Sequence, residues 1–164
     1  MSNTQTQTQT QRIYSDLTTR GTGFLNRIRK VQSKKGDGYW AATLKANRGE
    51  KGEFTNFEVR AVGADAKALF AGIAEQFPKV LSGEYKERPS VFCGFSIGDI
   101  QPMSYTKDGK EVLYIDARLL KFSFININGN AWYSANNPDL QPVELPSSKQ
   151  KQEETTEEPA AKAA

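Results

Sequence analysis

The sequence predicts a mainly β protein with a single helix. Three observations predict it. Residues 39–46 and 54–62 alternate apolar and polar side chains with a period of two, the mark of strands with one buried face. Residues after Gly63 change to helical spacing. The resulting order is three strands, a helix and a closing hairpin, with no βαβ alternation and no internal repeat, which argues against a doubly wound parallel sheet. That order is the one of a five-stranded Greek-key OB barrel with one α-helix between strands 3 and 4.

Residues 21–32 (GTGFLNRIRKVQ) mix β-formers with basic residues and read as strand 1. SKKGDG at 33–38 is a turn-forming loop. In YWAATLKA, Trp40, Ala42, Leu44 and Ala46 share one face, and Tyr39, Ala41, Thr43 and Lys45 the other. NRGEKGE at 47–53 connects a hairpin to strand 3, where Phe57, Val59 and Ala61 oppose Phe54, Asn56, Glu58 and Arg60. Asp65 is expected to cap a helix of about three turns carrying Ala66, Leu69, Phe70, Ile73, Ala74 and Phe77, and Pro78 ends it. Residues 82–89 form a loop. Strand 4 covers 90–100, with Gly94 at a bulge or close approach. A hairpin with Asp108-Gly109 at its tip leads into strand 5 over 112–127; Asn128-Gly129 marks a turn, and 131–133 add a short edge strand. The domain limits expected are a disordered polar tail over 1–20, the barrel over 21–135, and a Pro-containing linker with an acidic disordered tail over 136–164.

Composition narrows the function. The chain of 164 residues has no His and one Cys. It therefore lacks the means for a Cys/His zinc site, a Ser-His-Asp triad or a Cys-His pair. There is no P-loop, no GxGxxG and no paired-carboxylate spacing, so the expectation is a binding protein without catalytic residues, metal or cofactor. Asp99, Asp108 and Asp116 are the candidates for a Mg²⁺-dependent nuclease, the weakest reading. No signal peptide and no apolar run of about 20 residues is present, which predicts a cytoplasmic chain with no membrane contact. The net charge of +3 is uneven: from Glu144 onward five acids face three bases, and the remainder carries 19 bases against 14 acids. The excess concentrates between Phe24 and Arg60, a distribution suited to a polyanionic partner.

The stretch from Gly23 to about Phe124 resembles the bacterial single-stranded DNA-binding protein (SSB) family. GFLNRIRKV stands at its first strand, SKKGDG at a basic Gly loop, YWAATLKAN at a small-residue strand, FTNFEVRAVG at a third strand running through Gly into ADAKALFAGIAEQF, and VFCGFSIGDIQPMSYTKDGKEVLYIDARLLKF at the closing hairpin. The chain is also similar to a family of replication-associated proteins carried on bacterial integrative and conjugative elements. The resemblance implies an OB fold that binds single-stranded DNA without sequence preference, in replication or transfer of a mobile element. It also implies a homo-oligomer and replication or conjugation proteins as partners. Against the SSB pattern, the third-strand aromatic falls near Asn56, flanked by Phe54 and Phe57. Val62 replaces a helix-proximal aromatic, and Tyr105 matches the hairpin aromatic. The acidic tail, with Glu153, Glu154, Glu157 and Glu158, ends AAKAA rather than in Pro and Phe.

Single-strand binding needs basic side chains for phosphates and aromatic faces for bases. The candidate nucleic-acid contacts are Arg27, Arg29, Lys34, Lys35, Tyr39, Lys45, Arg48, Phe54, Arg60, Tyr105 and Lys107. By parity Trp40 and Phe57 belong to the core. Trp132 either caps the barrel or supports an oligomer. The alternative function is an OB-like interaction module that binds a replication or conjugation protein and touches no nucleic acid.

Overall fold

A computed structural model describes residues 17–82 and 84–147. The expectations of disorder for 1–16 and 148–164 lie outside these residues. Among the described residues six strands and one α-helix follow in order: β1 (Thr18–Val31), β2 (Tyr39–Asn47), β3 (Phe54–Ala61), α1 (Ala64–Gln76), β4 (Val91–Lys107), β5 (Lys110–Ile127) and β6 (Asn130–Ser134), with short 3-10 turns at Pro78–Leu81 and Tyr85–Glu87.

β1 pairs antiparallel with β2 along its second half and with β4 along its first. β2 pairs with β3, and β4 with β5, also antiparallel. A parallel pairing of β3 Glu58–Ala61 with β5 Asp116–Leu119 closes the ring. The circuit β1-β2-β3-β5-β4 returns to β1, and β6 adds to the outer half of β5. A closed five-strand ring in this order, with the helix between β3 and β4, is an OB barrel.

The period-two faces pack as the sequence predicts. Leu25, Ala42, Leu44, Val59, Ala61, Cys93, Ile97, Leu119 and Ile125 fill the interior. Trp40 and Phe57 pack against that core, with the Trp40 ring stacked on Phe70 of α1 at 6.2 Å. α1 buries Ala66, Leu69, Phe70, Gly72 and Ile73 against the barrel. Both hairpin tips carry positive φ at each central residue, Asp108 (51°) with Gly109 (73°) and Asn128 (51°) with Gly129 (80°), the type I′ geometry that matches strand twist.

Three expectations change. Asp65 is not the helix cap: Gly63 occupies the N-cap with no side-chain cap bond. Asp65 instead accepts hydrogen bonds from the Ser147 backbone N–H and hydroxyl. β1 begins at Thr18, inside the stretch expected to be tail. Residues past Ser134, read as linker for their prolines, lie along α1: Leu145 is buried, Val143 packs on the core, and Gln76 donates to the Pro142 carbonyl at 3.3 Å. Trp132 caps that seam, edge-on to Phe77 and donating from Nε1 to Gln76 Oε1 at 2.8 Å.

Candidate nucleic-acid interface

The outward faces of β1, β2 and β3 form one continuous surface. The register places Phe24 beside Lys45 and Lys45 beside Asn56; Asn26 beside Thr43 and Thr43 beside Glu58; Arg29 beside Ala41 and Ala41 beside Arg60. Two clefts lie on this surface. The first, about 510 Å³, is lined by Phe24, Arg27, Lys45, Phe54, Tyr85 and Arg88 among others. The second, about 520 Å³, is lined by Arg27, Arg29, Tyr39, Arg60, Tyr105 and Tyr114 together with Glu58 and Asp116. Arg27 lines both, so the two read as one groove across the barrel.

Arg27 reaches that position through a backbone irregularity. The β1–β2 ladder shifts between Asn26 and Arg29, and Arg27 sits in the left-handed region at φ 50°. A non-glycine residue there costs about 1–2 kcal/mol and points to a local purpose when it lies in a cleft. Its carbonyl also accepts a hydrogen bond from Arg29 Nη1 at 3.1 Å. Arg27→Gly retains that carbonyl and relieves the conformation, less about 0.5–1 kcal/mol of added chain entropy. The variant is expected to melt a few degrees higher while binding oligonucleotide more weakly, with the salt dependence of binding reduced by about one unit of slope. A variant that melts higher and binds unchanged would remove Arg27 from the interface.

Carboxylates share the second cleft. Glu58 accepts from Arg29 Nη2 at 2.9 Å and from Thr43 Oγ1 at 2.6 Å. Asp116, delivered by the parallel β3–β5 pairing, accepts from Arg60 Nη2 at 2.7 Å. Three arginines against two carboxylates leave this cleft at +1. The pairs hold the guanidinium groups in place but compete with phosphate for them. Such half-exposed pairs contribute about 0–1 kcal/mol to folding. Glu58→Gln is therefore expected to bind oligonucleotide several-fold more tightly at low salt with little change in melting temperature, and a lower affinity would show that Glu58 itself supports binding.

Of the sequence candidates, Arg27, Arg29, Tyr39, Arg60 and Tyr105 come together in the second cleft, and Arg27, Lys45 and Phe54 in the first. Lys45 Nζ stands 4.0 Å from the Phe54 ring centroid, so one face of that ring already carries a cation. Four candidates lie outside both clefts. Lys34 and Lys35 are in the exposed 32–38 loop; Arg48 sits in the β2–β3 turn, 3.8 Å from Glu53; Lys107 ends the β4 arm. The sequence reading missed Phe24, Tyr85, Arg88 and Tyr114. Tyr114 stands edge-on to Tyr105 at 5.8 Å, two residue pairs along the hairpin, and its alternation with Val112 and Asp116 could have revealed it. Tyr85, 81% exposed in the short 3-10 turn Tyr85–Glu87, carried no periodic signal.

The nuclease candidates are otherwise engaged. Asp99 pairs with Arg118 at 3.0 Å, Asp116 with Arg60, and Asp108 forms its turn. Among the described residues no group of three acidic, Cys or His side chains is placed to hold a metal ion. Cys93 is buried, and burial pushes its thiol far above the ordinary range, so it is no thiolate at neutral pH. Among the described residues no helix is long and apolar enough to cross a membrane.

The barrel is similar to the crystal structure of the mitochondrial single-stranded DNA-binding protein Rim1 from S. cerevisiae, at 8% identity and a TM-score of 0.32, over 71% of this chain and 99% of that one. It is also similar to the small single-stranded DNA-binding protein from Streptomyces coelicolor, at 11% identity and a TM-score of 0.36, over 70% of this chain and 95% of that one. Comparison with curated proteins finds no match. The family model described as protein of unknown function, DUF3577, matches residues 8–141, the greater part of the sequence, and the chain belongs to that family.

Proposed function

We propose that the protein binds single-stranded DNA, without sequence preference and without catalysis, along the groove across β1, β2 and β3. The observation that carries this reading is the groove itself: Phe24, Phe54 and Tyr85 at one end, Tyr39, Tyr105 and Tyr114 at the other, and Arg27 between them. Aromatic faces accept any base, and arginines accept phosphate whatever the sequence. A single strand can lay its bases on such side chains, whereas a duplex keeps its bases stacked inside. The setting in replication or transfer of a mobile element is the one implied by the family resemblance, as are a homo-oligomeric assembly, protein partners and a cytoplasmic location.

Titration of labelled oligo-dT, oligo-U and duplex DNA, read by anisotropy across a salt series, tests the reading. Oligo-dT is expected to bind well above duplex, with affinity falling steeply as salt rises. Alanine at Lys34, Lys35 and Arg60 together is expected to weaken binding and flatten that dependence. Absence of binding to every oligonucleotide would overturn the proposal and leave the protein-interaction module as the reading of the barrel.

A further inference from the structure

The geometry points to a second stretch of the single-strand path, outside the groove. It starts from Phe24 at the end of the groove and crosses the outer face of β4 and β5 over Phe92 and Phe124, with Arg20 and Lys121 alongside for phosphate. The inference rests on the single-strand reading above and extends it beyond the β1–β2–β3 surface.

Three phenylalanines stand on the wrong side of the barrel for a core. Leu25, Cys93 and Ile125 alternate inward, so their neighbours Phe24, Phe92 and Phe124 turn outward. Phe24 pairs directly with Phe92 across the ladder, their ring centroids 5.0 Å apart, and Phe92 and Phe124 are 5.7 Å apart. The Phe124 ring lies over Gly94 of β4, where a Cβ would stand 2.7 Å from its Cε1 atom. The three rings thus form a transverse row, half-buried against one another. Phe24 also lines the first cleft, which makes the row continuous with the groove.

Charge favours the same occupant. On the same outward face Arg20 pairs with Ser96, and Ser96 with Lys121. Both cations are exposed, and neither makes an ion pair among the described residues. No Asp or Glu occurs in β1, in Val91–Gly98 of β4, in Leu119–Ile127 of β5 or in β6. The groove carries Glu58 and Asp116; this face carries no carboxylate of its own strands. Aromatic rings beside unpaired cations are what a single strand requires.

Area argues against a second copy of the chain on these rings. The three partly buried phenylalanines leave on the order of 100–200 Å² exposed, whereas a stable interface needs about 800 Å² from each partner. Planar bases need far less surface.

The test is a comparison of labelled oligo-dT of about 6 and about 15 nucleotides, within the range one OB barrel covers. Phe92→Leu with Phe124→Leu keeps the face apolar, and a melting curve of the double variant verifies its fold. The double variant is expected to match the wild type on the short oligonucleotide and to bind the long one about tenfold or more weakly. In a separate variant, Phe92→Trp, the added indole fluorescence should be quenched by the long oligonucleotide and not by the short one. Equal affinity of double variant and wild type on the long oligonucleotide, or equal losses on both lengths, would overturn the second stretch. So would indole fluorescence in Phe92→Trp that the long oligonucleotide leaves unquenched. A wild-type oligomer that dissociates in the double variant without DNA would assign the face to a second copy instead. Failure of the wild type to bind even the short oligonucleotide would instead overturn the groove reading, and the two failures are thereby told apart.

Discussion

Replacing Tyr39 and Tyr105 together by alanine is expected to cost on the order of 30-fold in affinity for oligo-dT. The two rings come from distant places, the first residue of β2 and the outgoing arm of the β4–β5 hairpin, and they line one cleft. Tyr39 is 38% and Tyr105 50% exposed, so neither is needed by the core. Stacking is worth about 1–3 kcal/mol per base, so two lost platforms remove roughly 2–6 kcal/mol of binding. The losses need not add, because Tyr114 lies against Tyr105 and can take over part of its contact. No charge is removed, so the slope of log affinity against log salt should stay constant while the whole line drops. That pattern separates tyrosine from arginine variants, which change the slope. Titration of both proteins at several salt concentrations, with melting curves to verify folding, makes the measurement. Affinities within about threefold at matched salt would remove these two tyrosines from the interface.

How much of this surface was legible before the structure depends on how far apart in sequence its parts lie. Alternation in YWAATLKA and FTNFEVRAV placed Trp40 and Phe57 inward and Tyr39, Lys45, Phe54 and Arg60 outward, because parity is a local property of a strand. The helix was equally local. What sequence could not show is which outward residues become neighbours. Arg60 meets Asp116 across 56 positions, through a parallel pairing that no hairpin signal announces. Arg29 meets Glu58 across 29. By sequence Asp116 reads as a metal-ligand candidate and Glu58 as an outward strand neighbour of Arg60, yet the two acids decide the charge of the second cleft. The bulge at Arg27 was hidden for a related reason: arginine is not a residue that announces a left-handed backbone. Asp65 looked like a cap by residue type, but the chain enters α1 two residues earlier, at Gly63, and the carboxylate is turned to Ser147. Pro138, Pro142 and Pro146 signalled irregular structure correctly and absence of packing incorrectly, since Val143 and Leu145 between them still find the core.

Phe70→Ala is expected to carry the largest penalty in stability, about 3–5 kcal/mol. Phe70 is fully buried on α1, the residue through which the helix plugs the barrel. Its ring stacks on Trp40 of β2 and tilts against Phe122 of β5 at 5.8 Å, so one side chain ties together two strands on opposite sides of the closed ring. Truncation leaves a cavity between Trp40 and Phe122 that close-packed neighbours cannot fully collapse. For a folded region of this size the melting temperature should fall by on the order of 10–20 °C. Circular dichroism melts of the two proteins measure it, and a fall of only a few degrees would show that α1 is not integral to the barrel. The consequence for binding is separable. Trp40 faces inward while its neighbour Tyr39 lines the groove, so a loosened Trp40 acts on the groove only through the β2 backbone. Under conditions where the variant is still fully folded, its oligo-dT affinity should stay within about threefold of wild type. A larger loss there would mean that the rigidity of β2, set by the helix from the far side of the barrel, is part of what holds Tyr39 ready for a base.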